Sequence, residues 1–223
     1  MGDMSINKAS CLFWLGRYYE RVATTLAYFW SWYDRLIDGE PPDYAAFCSA
    51  LEIGCEYRTA EEFMHDYVFD GENPESLRAA ADAMLGNGMM LRETIGSRTL
   101  AYLELAVNAL ASGSDSISPT LPLQRVIDCI MAFRGCYDDC IDDENVRNII
   151  KCGASVERLS LYLRLGWRLE SVGTEIGKLI KRRERTNLRA DPSAERMMAT
   201  CLLGVPVDRR ASLLAAVEGL FAL

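Results

Sequence analysis

The sequence predicts an all-α protein, a helical bundle of about six to eight helices around a buried N-terminal helix. Apolar residues recur every three or four positions in most segments, and no segment alternates apolar and polar residues as a strand would. Half of the 223 residues are hydrophobic and a quarter are charged. This composition is typical of a globular protein with a sizeable core.

The first predicted helix, from Leu12 to Ile37, is apolar on nearly all sides. One face carries a stripe at alternating steps of three and four: Leu12, Leu15, Tyr19, Val22, Leu26, Phe29, Tyr33 and Leu36. The opposite face carries Phe13, Trp14, Tyr28 and Trp32. A helix that is apolar all round is normally buried, so we expect this one to run through the middle of the bundle.

Four polar residues, Arg17, Glu20, Arg21 and Thr24, interrupt the second face at helical spacing. Charged groups in such a setting must be paired, because isolated burial costs several kcal/mol or more. One interpretation is an ion-pair network that fixes helix register, and it is the one we favour. The other is a polar pocket in which Arg17 and Arg21 grip a carboxylate or phosphate.

Turn and capping residues place the remaining helices in a single domain, 1–223. The predicted helices cover 44–58 after Asp43, 59–69, 73–110 with Asn73 and Pro74 at the start, 121–140, and a long stretch from Glu144 or Ser155 to Arg185. Residues 112–120 are predicted to be a linker between helical halves at about 5–111 and 121–190. A short helical extension at 191–223 completes the chain.

Two segments of the chain echo each other. Residues 15–24 read LGRYYERVAT and residues 165–174 read LGWRLESVGT, with Leu, Gly, Glu, Val and Thr at matching places. Either two amphipathic helices share common residue types, or two related helices occupy equivalent places. The second interpretation predicts that Glu20 lies near Glu170, with Arg164 and Arg168 supplying positive charge.

These segments resemble the Alpha-E family, bacterial helical proteins named for a Glu-Arg signature. The matching pieces are Trp14–Arg21, Asn73–Arg78 and Leu163–Glu170, and the resemblance spans residues 8–185. The second helix motif departs from the family pattern, because Trp167 and Ser171 stand where arginines are usual. Further along, Arg98 and Leu100 stand where similar proteins carry Glu and Trp.

Alpha-E proteins are commonly encoded beside circularly permuted ATP-grasp ligases and transglutaminase-like peptidases. The resemblance therefore implies a non-catalytic helical partner of an ATP-dependent peptide ligation or modification system, which binds a peptide, a small anionic ligand or the ligase. The alternative is an enzyme that acts on a peptide or amide through an Arg/Glu site inside the bundle. The candidate ligand-binding residues are Arg17, Glu20, Arg21, Arg168 and Glu170.

Charge and hydropathy set the expected surroundings. A net charge of −8 argues against a general nucleic-acid binder, which needs a basic surface. No signal-peptide core is evident, and no apolar run approaches the roughly 20 residues that span a bilayer. We therefore expect a cytoplasmic protein with no membrane contact, and the many aromatic residues are compatible with an oligomer.

A basic run at 178–189 has two interpretations. It is either a solvated helix end, favoured by the helix dipole, or a docking surface for an acidic partner such as the ligase. The candidate docking residues are Lys181, Arg182, Arg183 and Arg185.

The sequence predicts no metal site and no cofactor. Glu62 and His65 give one half of a di-metal motif, but the chain has a single histidine. Cys129, Cys136 and Cys140 are interpreted as core thiols, with a metal or redox pair as the lesser alternative, because a C-x-x-C motif is absent. The acidic run 138–144 lacks the ligand spacing of a calcium loop and is expected to be a solvated junction.

Overall fold

The computed structural model describes residues 4–37, 39–40, 43–114 and 120–223. These residues form eleven α-helices: α1 (Ile6–Ile37), α2 (Tyr44–Leu51), α3 (Ala60–Phe69), α4 (Leu77–Met90), α5 (Arg92–Ile95), α6 (Ser97–Ala111), α7 (Thr120–Cys140), α8 (Glu144–Leu165), α9 (Val172–Arg183), α10 (Pro192–Ala199) and α11 (Arg210–Glu218). Within the described residues the only β pairing is an isolated bridge between Ala190 and Phe221. The prediction of an all-α fold is confirmed.

Residues with positive φ end helices that the periodicity predicts to be longer. The helix predicted over 44–58 stops before Glu52 (φ 60°), the one predicted over 73–110 is interrupted at Gly96 (φ 77°), and the one predicted to reach Arg185 is interrupted at Gly166 (φ 63°). A left-handed residue turns the chain out of the helix. Together with a break at Leu91 (φ −100°) between α4 and α5, these breaks raise the number of helices above the expected six to eight. Helix α4 also begins later than predicted, because Ser76 rather than Asn73 caps it.

The prediction of a buried N-terminal helix is confirmed by α1. Its stripe residues from Leu12 to Phe29 are at most 2% exposed. The opposite face is also largely covered, since Trp32 is 1% and Phe13 is 5% exposed. The side chains of Tyr33 and Leu36 lie outside the described residues. Among the described helices, none combines the length and the apolar character that crossing a bilayer requires.

The chain packs as two compact units that divide α1 between them. The first unit comprises Met1–Glu20 and Ile141–Leu223, and the second comprises Arg21–Cys140. These bounds differ from the predicted halves, 5–111 and 121–190. The predicted linker lies partly outside the described residues, at 115–119.

An aromatic core fills the second unit. Its rings come from α1, α2 and α3, and pairs among them have centroids 5.1–5.9 Å apart: Phe29, Trp32, Phe47, Phe63 and Tyr67. Such contacts bury large apolar areas and stabilise aromatic pairs further. Helix α6 packs along α7 and against α4 in the same unit.

The first unit packs the start of α1 with α8–α11. Helix α8 lies against α9 and α11, and α10 lies against α11. The C-terminal residues also pack in this unit, because the Phe221 and Phe13 rings meet edge to face with their centroids 5.5 Å apart. The predicted extension at 191–223 is therefore part of this unit.

Two glycines allow α1 and α8 to touch through their backbones. A Cβ on Gly16 would lie 2.0 Å from the carbonyl oxygen of Ile150, and a Cβ on Gly153 would lie 2.0 Å from that of Phe13. Gly16 thus faces the carbonyl of Ile150, three residues before Gly153, and Gly153 faces the carbonyl of Phe13, three residues before Gly16. The crossing is locally two-fold in its contacts, and only glycine fits at either position.

We predict that Gly16→Ala destabilises the protein, because the added methyl group forces two backbones apart. Overpacking of this kind typically costs about 1–3 kcal/mol or more. Urea unfolding would measure the loss. The matched control is Gly177→Ala in α9 of the same unit, where the nearest atom to the new Cβ is 3.9 Å away. That variant should gain up to about 1 kcal/mol from helix propensity; equal stability of the two variants would contradict the close crossing.

Candidate functional site

Reciprocal ion pairs join α1 and α8 beside the glycine crossing. Arg158 binds Glu20 through two parallel hydrogen bonds, from Nε to Oε1 at 2.7 Å and from Nη2 to Oε2 at 2.6 Å. In return, Arg17 Nε donates to Glu157 Oε2 at 2.7 Å. Each helix therefore gives one carboxylate and one guanidinium. Bidentate pairing of this kind fixes orientation as well as charge.

Glu175 of α9 adds a third carboxylate. Its Oε1 accepts hydrogen bonds from Ser155 at 2.8 Å and Arg182 at 3.2 Å, and it lies 3.1 Å from Arg158 Nη1. Its Oε2 lies 3.2 Å from Lys178 Nζ. Arg158 thus bridges Glu20 and Glu175. We call the Glu-Arg cluster the set Arg17, Glu20, Ser155, Glu157, Arg158, Glu175, Lys178 and Arg182.

The carboxylates of the cluster are buried, while the cations reach toward its edge. Glu20, Glu157 and Glu175 are 1%, 2% and 4% exposed, whereas the side chains of Arg158 and Lys178 are 20% and 51% exposed. Burial of a carboxylate costs several kcal/mol unless a cation compensates. The cations therefore shield the carboxylates from solvent.

The pairing shifts two pKa values in the direction that favours charge. Burial raises the pKa of Glu175, but Arg158, the Ser155 hydroxyl, Arg182 and Lys178 outweigh it, so that the pKa lies below its ordinary value. Burial lowers the pKa of Arg158, but Glu20 and Glu175 outweigh it and hold the pKa above its ordinary value. Both groups stay ionised at neutral pH.

The partner of the first Glu-Arg motif is Glu157-Arg158, which the sequence comparison of 15–24 with 165–174 missed. The available signal was a shared G-x-x-x-E-R spacing, since Gly16 precedes Glu20-Arg21 as Gly153 precedes Glu157-Arg158. The structure explains why the glycine and the glutamate have this spacing. The glycine brings the backbones together, and the glutamate one turn later pairs across the crossing.

The expected meeting of Glu20 and Glu170 is not found. Because α8 ends at Leu165, Glu170 lies on a short 3₁₀ turn (Leu169–Ser171), where it is exposed and makes no hydrogen bond or ion pair with the described residues. Arg168 is exposed as well and stacks over Trp167, with Cζ 4.5 Å from the ring centroid.

The other predicted ligand-binding residues, and Arg164, which was expected to supply positive charge, lie in three places. Arg17 and Glu20 are in the cluster. Arg21 is half-buried and belongs to the second unit. Arg164 binds Glu218 of α11, with Nε 3.0 Å from Oε1 and Nη2 3.1 Å from Oε2.

The four predicted docking residues also separate. Arg182 is held by Ser155 and Glu175, and Arg183 is paired with Glu195. Lys181 and Arg185 are exposed, the latter 3.6 Å from an exposed Glu144. Two of the four therefore face solvent.

Polar residues weighed as metal ligands have local structural partners. Glu62 accepts a hydrogen bond from the backbone N–H of Arg58 at 2.7 Å. His65 lies 2.8 Å from Asp66 Oδ1 and 3.0 Å from the carbonyl oxygen of Ser114. In the acidic run, Asp143 caps α8. Across the described residues, no group of three or more His, Cys, Asp or Glu is arranged to hold a metal ion.

The fold and the cluster define a helical protein built around two Glu-Arg dipeptides, each of which gives its glutamate to one interior network. The profile of the Alpha-E family, described as a predicted α-helical domain with a conserved ER motif, matches residues 4–181. The chain belongs to the Alpha-E family. No curated protein and no solved structure matches it. The matched residues contain two Glu-Arg dipeptides, at 20–21 and 157–158.

We predict that Glu175 stabilises the protein only above acidic pH. Its pKa is lowered on folding from the ordinary value of 4.5, so the stabilisation is present above that pH and is lost as the pH falls through the folded value. Urea unfolding from pH 7 to pH 3 should show Glu175→Gln less stable than wild type at pH 7, with a gap that narrows below about pH 4.5. The control Glu170→Gln should match wild type, and a constant gap for Glu175→Gln would contradict the prediction.

Proposed function

We propose that this protein is a non-catalytic helical partner of an ATP-grasp-linked peptide ligation or modification system, which it serves by binding the ligase through an exposed basic surface. The resemblance of its Glu-Arg and NP-x-S-L-R segments to Alpha-E proteins supports the connection to such a system. The saturation of the Glu-Arg cluster supports the binding role, and this observation carries the proposal.

Each carboxylate of the cluster is already paired with at least one cation. Both oxygens of Glu20 accept from Arg158, and both oxygens of Glu175 meet cations. A ligand carboxylate that took Arg158 would remove the bidentate cation from buried Glu20 and one of three cations from Glu175. Breaking a buried pair in this way typically costs about 3–5 kcal/mol. The cluster is therefore better suited to holding α1, α8 and α9 together than to binding an anionic ligand.

The exposed basic residues at the end of α9 suit an acidic partner. Lys178, Lys181, Arg185 and Arg189 face solvent along this segment. Charges at the rim of an interface raise the association rate and select the partner, in a way that salt screens. In this proposal Lys181 and Arg185 contact the ligase, whereas Arg182 and Arg183 position the helix through their internal ion pairs.

The second candidate is an enzyme that uses the interior cluster on a peptide or amide. The observation that favours it is the shifted pKa of Glu175 and of Arg158, since perturbed groups concentrate at active sites. Structural ion-pair networks shift pKa values in the same way. The two candidates differ in which substitution removes activity.

The proposal is tested by reconstitution with any ATP-grasp ligase found to be encoded beside this protein, with binding measured by calorimetry and turnover by ADP release. The double variant Lys181→Glu/Arg185→Glu should bind the ligase at least tenfold more weakly, and added salt should weaken wild-type binding. The charge-matched control Arg92→Glu/Arg125→Glu, also exposed, should bind as wild type does.

Unchanged binding by the first double variant would contradict docking at the end of α9. Loss of turnover in a folded Arg17→Gln variant that still binds the ligase would instead favour the enzyme. A structural network predicts that Arg17→Gln lowers the melting temperature while ligase-dependent turnover below that temperature persists.

A further inference from the structure

Two cysteine thiols touch at the last turn of α7. Cys136 Sγ and Cys140 Sγ lie 3.5 Å apart, as residues four apart on a helix face allow. Cys136 is 8% exposed, whereas Cys140, the last residue of the helix, is open to solvent. Thr99 of α6 lies 3.4 Å from Cys136, from its Oγ1 to Sγ. The pair is thus accessible from one side and held from the other.

We propose that Cys136 and Cys140 form a two-thiolate site for a thiophilic d¹⁰ metal ion, of the zinc and copper(I) class. Soft thiolates select such ions. With a metal–sulfur bond of about 2.3 Å, two thiolates on a tetrahedral ion lie roughly 3.8 Å apart. The observed separation of 3.5 Å is close to this span. The ion therefore binds while α7 stays helical.

A disulfide fits the same pair less well. It requires Cβ atoms about 3.8 Å apart, whereas residues four apart on a helix keep them about 5–6 Å apart. Oxidation would therefore open the last turn of α7. Metal binding needs only a small rotation of the exposed Cys140 side chain, so the geometry favours the ion.

Binding exchanges protons for metal. Each S–H bond breaks, each sulfur bonds to the ion, and two protons pass to solvent per ion bound. Because both thiols must lose their protons, affinity should rise with pH. Thr99 is placed to donate a hydrogen bond to the Cys136 thiolate and so orient it. Water or an exogenous ligand completes the coordination.

The test is a Cd²⁺ titration of the reduced full-length protein, followed by sulfur-to-cadmium charge-transfer absorption and by proton release. Cys140→Ser should lose one bound ion per chain or bind it at least tenfold more weakly. Thr99→Val should weaken binding of the same ion, because loss of a group that orients a ligand typically lowers metal affinity about 10–100-fold. Zn²⁺ should compete with the cadmium.

The matched control is Cys55→Ser, which changes another exposed thiol and should leave the Cys140-dependent ion in place. Circular dichroism should show equal helix content in both variants, because both side chains are exposed. Equal cadmium stoichiometry and affinity in wild type and Cys140→Ser would overturn the proposal. A Cys136–Cys140 disulfide on mass spectrometry, with no metal uptake after reduction, would overturn it as well.

Discussion

The first unit depends on one buried ion pair, Glu20 with Arg158. A carboxylate that is 1% exposed is tolerated only where a cation satisfies it, and the two parallel hydrogen bonds of Arg158 do so with fixed geometry. The pair forms because Gly16 and Gly153 let α1 approach α8 to backbone contact. Arg158 then reaches Glu175, which ties α9 to the same crossing. The close backbone packing of α1 on α8 and the ion pairs beside it therefore depend on each other.

Because of this constraint at the crossing of α1 and α8, the residues that hold the helices together are different from those that are exposed to a partner. Glu20, Glu157 and Arg158 of the two Glu-Arg dipeptides are turned inward and are paired within the cluster, so these residues hold helices together. Residues available to a partner lie elsewhere, at the basic end of α9 and at the thiols that end α7. A buried network of this kind is weak evidence for extra stability but suits the selection of one helix register.

Local patterns predicted the fold class, the burial of α1 and the pairing of its charges, because each follows from helical periodicity and the cost of burying charge. They did not predict that Glu157 and Arg158 are the residues that pair with Arg17 and Glu20. Glu157-Arg158 sits in an ordinary amphipathic segment, and its contact with Arg17 and Glu20 spans about two thirds of the chain. The match to 165–174 was misleading because Gly166 adopts a left-handed conformation and ends α8, whereas Gly16 lies inside α1. A glycine in a helical pattern supports either outcome.

The most direct measurement of the central pair is a double-mutant cycle on unfolding free energy with Glu20→Gln, Arg158→Met and the double variant. The buried pair predicts a coupling energy of about 2 kcal/mol or more, within the range measured for close charge pairs. A parallel cycle on the exposed pair Glu144 and Arg185 should give about 0.5 kcal/mol or less. Coupling between Glu20 and Arg158 no larger than that of the exposed pair would contradict the role assigned to the crossing.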